Sequence, residues 1–306
     1  MKLSIGIDIG GTFIKGGVIT EGGEVVDFLK IKTPDSRMVK DVIGVVKSII
    51  NNLIAKYEVS SIGVASPGSV SKDGFVLFSP NFPSWRDIPL KQLIEKEIGF
   101  SIILDNDANA YAFGEYEIGC AKNVNDFILL TLGTGVGGAI FSGGKLIKGY
   151  MGIGGELGHI VVGDEGPVCG CGNIGCLETY SSLSGIFKLL KEEGFEEEYW
   201  DSLSLLRLYR EGEPIAKRII SKFINYLIKA IISYVHIFNP QLIILGGGLS
   251  RDYREILRDL TKKVNERVMP SFRDTFSIVF SSLSDEAGMI GIALMALKAN
   301  SNSFFL

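Results

Sequence analysis

Apolar positions at the start of the chain follow a strand pattern. Residues 3–9 are apolar and β-rich, Gly10-Gly11-Thr12 interrupts them, and residues 13–19 resume the run, which predicts a hairpin around a glycine loop. Residues 38–56 then place Val42, Val45, Val46, Ile49, Ile50, Leu53 and Ile54 at helical spacing, and Ser61–Ala65 reads as a short buried strand ending at Pro67-Gly68. Further on, Ile102-Ile103-Leu104 is a strand whose end carries Asp105-Asn106-Asp107, followed by a helix through Ala108, Ala110 and Ala112. A long amphipathic helix is expected from Pro214, a residue suited to a helix start, towards Phe238. Leu242–Leu245 follows as a buried strand, and Gly246-Gly247-Gly248 opens a turn.

The opening recurs. Sliding the chain by 122 positions puts Gly133-Thr134 on Gly11-Thr12, Gly138 on Gly16 and Ile140 on Val18, which suggests an internal duplication. The expected architecture is therefore α/β, two related halves with a cleft between them.

Composition narrows the function classes. The 306 residues include 31 Lys+Arg and 35 Asp+Glu, a net charge of −4, which argues against a nucleic-acid binder held mainly by phosphate contacts. With 46% hydrophobic and 22% charged residues the chain can bury a real core, and its length favours two domains. Apolar stretches are broken before the roughly 18 residues a bilayer crossing needs, so no membrane span is expected. Met1-Lys2-Leu3-Ser4-Ile5 runs straight into a strand with no cleavage site, so no secretion signal and a cytoplasmic location are expected. Glycine is the oddity: 38 residues, clustered between apolar runs, mean tight turns and close backbone approach to something, often phosphate.

In Asp8-Ile9-Gly10-Gly11-Thr12-Phe13-Ile14-Lys15, the glycines free backbone N–H groups to face phosphate oxygens, Thr12 adds a hydroxyl and Asp8 could hold hydrated Mg²⁺. The spacing is neither that of the P-loop nor the dinucleotide GxGxxG, and a plain hairpin turn with a surface Lys explains it as well. Leu132-Gly133-Thr134-Gly135-Val136-Gly137-Gly138 is harder to read as a mere turn, because each interior glycine costs about 0.5–1 kcal/mol relative to alanine. Two such loops in duplicated halves would grip one nucleotide from both sides.

Cys169-Gly170-Cys171-Gly172-Asn173-Ile174-Gly175-Cys176 holds three of the four cysteines, and His159 lies ten residues upstream. A Cys₃His set suits tetrahedral Zn²⁺, whereas three cysteines cannot all pair as disulfides. Such a zinc would be structural, with no open position for water. Cys120 and His236 read as packing residues. Asp107, Glu156 and Glu178 are carboxylates near these loops, and one at a strand end could accept a hydroxyl proton during attack on a phosphoryl group. Position alone does not choose between Asp105 and Asp107.

Asp8-x-Gly10-Gly11-Thr12-x-x-Lys15, Asn106-Asp107-Ala108-Asn109-Ala110, Gly133-Thr134-Gly135-Val136-Gly137-Gly138, Glu156-x-Gly158-His159 and Cys169-x-Cys171-Gly172-x-x-Gly175-Cys176-x-Glu178 occur in order along nearly the whole chain. Together they resemble the ROK family of sugar kinases and repressors, within the actin-like ATPase superfamily. The resemblance implies a duplicated two-lobe, ribonuclease H-like fold with ATP and a hexose in the cleft: a small lobe of residues 1–115, with a C-terminal helix of about 290–306 packing back on it, and a large lobe of 116–289 carrying the zinc loop. It implies Asp107 rather than Asp105 as general base, and sugar hydroxyls held by Asn106, Asp107, Glu156, His159 and Glu178 with Gly68 and Asn81 contributing. ATP would meet Asp8, Gly10, Gly11, Thr12, Lys15, Gly133, Thr134, Gly135, Gly137, Gly138, Gly247 and Gly248, with Mg²⁺ near Asp8. His159, Cys169, Cys171 and Cys176 would hold the structural zinc.

Some members of this family are repressors with an extra N-terminal helix-turn-helix; with a glycine loop beginning by residue 10 no such module is expected here, and a scaffold or chaperone ATPase would leave the cysteines unexplained. Ser66-Pro67-Gly68 and Asn81-Phe82-Pro83-Ser84-Trp85 resemble glucokinase segments, which makes glucose the first expectation. Fructose, mannose, N-acetylglucosamine and N-acetylmannosamine stay open, as does a sugar-sensing regulator. A homodimer or homotetramer is implied by the family, with Phe304-Phe305-Leu306 packed on the small lobe or at a subunit contact.

Overall fold

The alternation in residues 3–9 sorts the first strand onto two faces. In the computed structural model of the chain, which describes residues 2–194, 201–283 and 285–301, strand β1 (Leu3–Ile9) buries Ile5, Ile7 and Ile9 in a cluster with Val42, Val46, Ile49, Ile50 and Leu53 of helix α1 (Val39–Ile54). Its other face carries Ser4, Gly6 and Asp8. There the last helix, Ala287–Ser301, comes so close that a Cβ on Gly6 would stand 2.0 Å from the Met289 carbonyl oxygen. The expectation for Phe304-Phe305-Leu306 lies outside the described residues.

The first of two compact units comprises the residues up to Asn123, Leu146–Gly155 and the residues from Ser282. β1 pairs antiparallel with β2 (Phe13–Thr20), which pairs with β3 (Val25–Lys32); on its other side β1 runs parallel to β4 (Ser61–Ser66). A small antiparallel sheet of β5 (Ser69–Val70), β6 (Val76–Phe78) and β7 (Arg86–Ile88) follows, then α2 (Leu90–Ile98). β8 (Ile103–Asn106) extends the large sheet parallel to β4 and leads directly into α3 (Asp107–Glu117), which packs on the last helix.

The second unit comprises Val124–Lys145 and Glu156–Ser281. β9 (Phe127–Leu132) is antiparallel to β10 (Val136–Ser142), and β11 (Lys145–Leu146) stands at that edge. Two short helices, α4 (Glu178–Ser181) and α5 (Leu183–Glu192), precede α6 (Ser202–Glu211) and α7 (Pro214–Phe238). Glu213 caps α7 by accepting the Ala216 N–H at 2.7 Å, with Pro214 in its first turn as expected, and Asn239 ends it in the left-handed conformation. β12 (Leu242–Gly246) is parallel to both β9 and β13 (Ser277–Phe280). Between them lie α8 (Gly248–Asp252), α9 (Arg254–Leu257) and α10 (Leu260–Asn265), so Gly248 starts a helix where a turn is expected. No helix among the described residues is long and apolar enough to cross a membrane; α7 is long enough, but lysines and an arginine interrupt it.

The strand orders β3-β2-β1-β4-β8 and β11-β10-β9-β12-β13 are the same topology twice, each with one antiparallel hairpin, a further strand on the hairpin's outer edge and two parallel strands on its other side. The offset of 122 positions puts Gly137 on Lys15, and their cross-strand partners are Thr131 and Asp8, an offset of 123. The second turn is thus one residue shorter than the first, and a single sliding offset cannot match both strands of the pair.

Candidate functional site

In the first unit, the β1–β2 turn is built to stay open. Gly10 N–H donates to Phe13 O (3.0 Å), Thr33 Oγ1 donates to Gly10 O (2.7 Å) and Thr33 N–H to Thr12 O (2.9 Å). The turn's carbonyls are therefore used, while a Cβ at Gly11 would meet nothing within 4 Å and the Thr12 side chain is exposed. Asp8 and Lys15 are cross-strand partners at its base. The Asp8 carboxyl stands 3.3 Å from where a Gly288 side chain would begin, at the start of the last helix, and desolvation pushes its pKa above the usual range, with Lys15 pulling the other way. Lys15 Nζ donates to Asp285 O at 2.6 Å. A desolvated carboxyl beside an open turn fits a divalent cation, whose charge would offset the burial.

The strand-to-helix junction at residues 105–109 separates two neighbouring carboxylates. Asp105 is buried: its Oδ1 accepts Asn106 N–H (2.8 Å) and Asn109 Nδ2 (2.9 Å), and its Oδ2 takes the Lys148 ammonium (2.8 Å). Asn106 caps α3, accepting the N–H groups of Ala108 and Asn109 (2.9 and 3.1 Å), and its Nδ2 donates to Gly68 O (3.0 Å). Gly68 has φ +91°, and a side chain there would collide with Phe78 O at 2.3 Å. Asp107 is the first residue of α3, half-buried, with Oδ1 accepting Ala108 N–H at 2.9 Å. Asn81 is exposed in the segment after β6. The structure thus brings Gly68, Asn106 and Asp107 together.

In the second unit, the turn is confined to Gly133–Gly135. Gly137 and Gly138, expected in the loop, lie in β10 opposite Thr131 and Leu130, because pairing resumes at once with Val136 opposite Leu132. The turn carbonyls are taken by the start of α5: Leu183 N–H donates to Gly133 O (2.8 Å) and Ser184 N–H to Thr134 O (3.2 Å). Glu178 Oε2 accepts Val136 N–H at 3.0 Å and would lie 2.4 Å from a Cβ at Gly135. Gly247, at φ +86°, backs the turn, since a Cβ there would stand 2.4 Å from Leu132 O. Glu156 is exposed and precedes the 3-10 turn Leu157–His159, which Tyr234 of α7 holds through a 2.6 Å bond to Leu157 O.

The ligand atoms of His159, Cys169, Cys171 and Cys176 all lie within 4.8 Å of one another. Cys169 Sγ is 3.4 Å from His159 Nδ1, and Cys171 Sγ is 3.6 Å from Cys176 Sγ. Zn–S near 2.3 Å and Zn–N near 2.1 Å imply tetrahedral edges of about 3.8 Å between sulfurs and about 3.6 Å from sulfur to nitrogen. The cluster is therefore compatible with a structural zinc. Bridges Val161–Cys176 and Val168–Ile174 fold the loop, and Gly175, at φ +79°, passes so close to Gly163 O that no side chain fits. Burial pushes the Cys176 thiol up to about 11 and raises Cys169 as well, so a bound metal would displace protons. The Cys169 thiol also donates to Glu178 Oε1 at 3.6 Å, so Glu178 touches both the zinc ligands and the glycine turn.

Sequence reading missed Lys148, the ion partner of Asp105, and the α5 N-terminus under the second turn. Lys148 sits among glycines with no local pattern, and only the fold brings it across 43 positions.

One topology used twice, each copy opening on a glycine–threonine turn, defines the actin-like ATPase fold. A model described as "ROK family" matches residues 4–299, and the chain belongs to that family. It is 37% identical over 303 residues to a glucokinase of Thermotoga maritima, covering 94% of this chain and 95% of that protein. It is 32% identical to a xylose repressor of Bacillus spizizenii, covering 96% of this chain and 77% of the repressor. Among solved structures, a ROK family glucokinase from Streptomyces griseus in complex with glucose and AMPPNP superposes with a TM-score of 0.83 at 30% identity, covering 97% of this chain and 99% of that one.

Proposed function

We propose that the protein is an ATP-dependent hexose kinase that forms glucose 6-phosphate, with Asp107 as general base. The carrying observation is the division of labour between Asp105 and Asp107: the first has both oxygens engaged inside the fold, and the second stands half-buried at a helix start. Similarity over nearly the whole chain to glucokinases supports the substrate class.

In this reading Asp107 draws the proton from the hexose O6 as that oxygen attacks the γ-phosphorus of ATP in line; the bond from the γ-phosphorus to the bridging oxygen breaks and ADP leaves. Gly68, Asn81, Asn106, Glu156, His159 and Glu178 hold the remaining sugar hydroxyls. Backbone N–H groups of Gly11, Thr12, Thr134 and Gly135, with the Thr12 and Thr134 hydroxyls and Lys15, take phosphate oxygens, and Gly10, Gly133, Gly137, Gly138, Gly247 and Gly248 let the nucleotide approach. Mg²⁺, held through Asp8, would balance charge developing on the phosphates. Zinc on His159, Cys169, Cys171 and Cys176 would cross-link the loop that leads into Glu178, and His159 would also wall the sugar.

A cytoplasmic location, the absence of a nucleic-acid partner and a homodimer or homotetramer belong to the same proposal; the net charge of −4 supports the second, and light scattering tests the last. The kinase reading is tested by Mg·ATP-dependent ADP release over glucose, mannose, fructose, N-acetylglucosamine and N-acetylmannosamine. Turnover fastest with glucose supports it. Another sugar turned over alone moves the substrate, and silence on all of them in zinc-loaded protein, with sugar still bound, supports a regulator instead, the reading that similarity to the xylose repressor favours.

A further inference from the structure

Arg37 lies between β3 and α1 at φ +50°, a conformation that a side-chain-bearing residue adopts only when its surroundings impose it. Its N–H donates to Pro34 O (3.0 Å), and its carbonyl accepts the indole N–H of Trp85 (3.0 Å), a fully buried ring packed tilted against that of Phe82 with centroids 4.6 Å apart. Those bonds involve the backbone alone. The guanidinium does something else: Nη1 donates to Asn81 O (2.7 Å), Nη2 reaches Gly11 O (3.5 Å), and its carbon sits 5.9 Å from the Phe82 ring centroid. A cavity of about 600 Å³ opens beside it, lined in part by Gly11, Thr12, Ser36, Pro83 and Ser84.

We propose that Arg37 is a positioning residue for phosphoryl transfer: its guanidinium clamps the carbonyls of Asn81 and Gly11 and so fixes the sugar-contact segment against the phosphate turn. The proposal rests on the kinase reading for the roles of those two segments. A planar fork can span two carbonyls held at a fixed separation, which a lysine ammonium does not reproduce. The strained backbone fits this role, because a glycine would satisfy the same φ without strain and would keep every backbone bond named above. What a glycine would lose is the guanidinium, that is, the clamp and the contact over the Phe82 ring.

The test compares wild type, Arg37→Gly and Arg37→Lys by thermal unfolding, by separate KM values for sugar and Mg·ATP, and by amide hydrogen exchange. Arg37→Gly is expected to keep or raise Tm while the sugar KM rises about tenfold, the loss of one charge-assisted hydrogen bond, with Mg·ATP KM little changed. Arg37→Lys should fall between, and added guanidinium ion should restore part of the loss in Arg37→Gly. Exchange at Phe82 and Trp85, whose amides bond to Ser79 O and Phe82 O, should quicken in Arg37→Gly. An unchanged sugar KM, or a lowered Tm with both KM values and kcat worsening together, overturns the proposal. If wild type turns over no sugar, the exchange arm still decides: quickened exchange keeps the clamp while the kinase reading fails, and unchanged exchange sinks the clamp.

Discussion

Lys148→Met removes the cation from a buried carboxylate and leaves its other partners in place. The Asp105 side chain is 5% exposed and that of Lys148 33%, with 2.8 Å between Nζ and Oδ2. Breaking a fully buried pair costs about 3–5 kcal/mol, whereas exposed pairs contribute about 0–1 kcal/mol. Here the ammonium is partly hydrated, and Asp105 Oδ1 keeps two donors, Asn106 N–H and Asn109 Nδ2. That places the loss between the limits, at about 1–3 kcal/mol. For a domain of ordinary size this lowers Tm by about 2–4 °C per kcal/mol, so roughly 2–12 °C. The assay is thermal unfolding at pH 7 of Lys148→Met, Asp105→Asn and the double variant, with kcat measured beside it. Because Asp105→Asn removes the buried charge that Lys148 serves, the double variant should lose less than the sum of the singles. Since Asp107 and Asn106 are held by the α3 N-terminus and Gly68 O, kcat should fall less than about tenfold. A Tm drop under 1 °C, or strictly additive losses, would refute the argument that this pair anchors the junction.

Cys171→Ser should take zinc from about one per chain to near none by elemental analysis and slow sugar turnover, because Glu178 leans on both Cys169 and Val136 N–H; full zinc retention counts against the ligand set. Asp8→Asn should separate stability from activity. Burial raises the folded pKa of Asp8 above its usual 3.8, so its contribution to stability is fully present below the unfolded value and is lost as pH rises through the folded one. In Mg²⁺-free buffer the variant should therefore gain in Tm over wild type between pH 4 and pH 7, while Mg·ATP-dependent turnover collapses; a gain that shrinks with rising pH would contradict the sign. Gly291→Ala puts a Cβ 1.8 Å from Ala110 O at the crossing of the last helix and α3, and overpacking should lower Tm by an amount equivalent to about 1–3 kcal/mol or more; an unchanged Tm would mean that the helices separate freely.

What was legible in the sequence is what local pattern carries. Alternating isoleucines in β1, the 3-and-4 spacing in α1, Pro214 at the head of α7 and the cysteine spacing each report a short-range constraint, and each appears where expected. β3 was missed because an edge strand with exposed Val25, Val26 and Phe28 and interleaved charges has no buried face to mark it. The sheet of β5, β6 and β7 was missed because its strands span only two or three residues. Glycine looks alike in a turn and in a strand, so the second glycine run reads as one loop in the sequence; only pairing with β9 shows that Gly137 and Gly138 are strand residues. Lys148 and Arg37 act across 43 and 44 positions, on carbonyls and a carboxylate that no neighbouring residue announces.

Asp107 carries the proposed proton transfer. Its most direct test is kcat for Asp107→Asn beside Asp105→Asn, with sugar affinity measured by calorimetry in both. The account predicts a fall of about 10²- to 10⁴-fold for Asp107→Asn, the usual loss for a positioned general base, with sugar binding within a few-fold of wild type and Tm unchanged; Asp105→Asn should lose stability rather than chemistry. Turnover by Asp107→Asn within tenfold of wild type, or an equal fall in kcat for Asp105→Asn at unchanged Tm, would contradict it.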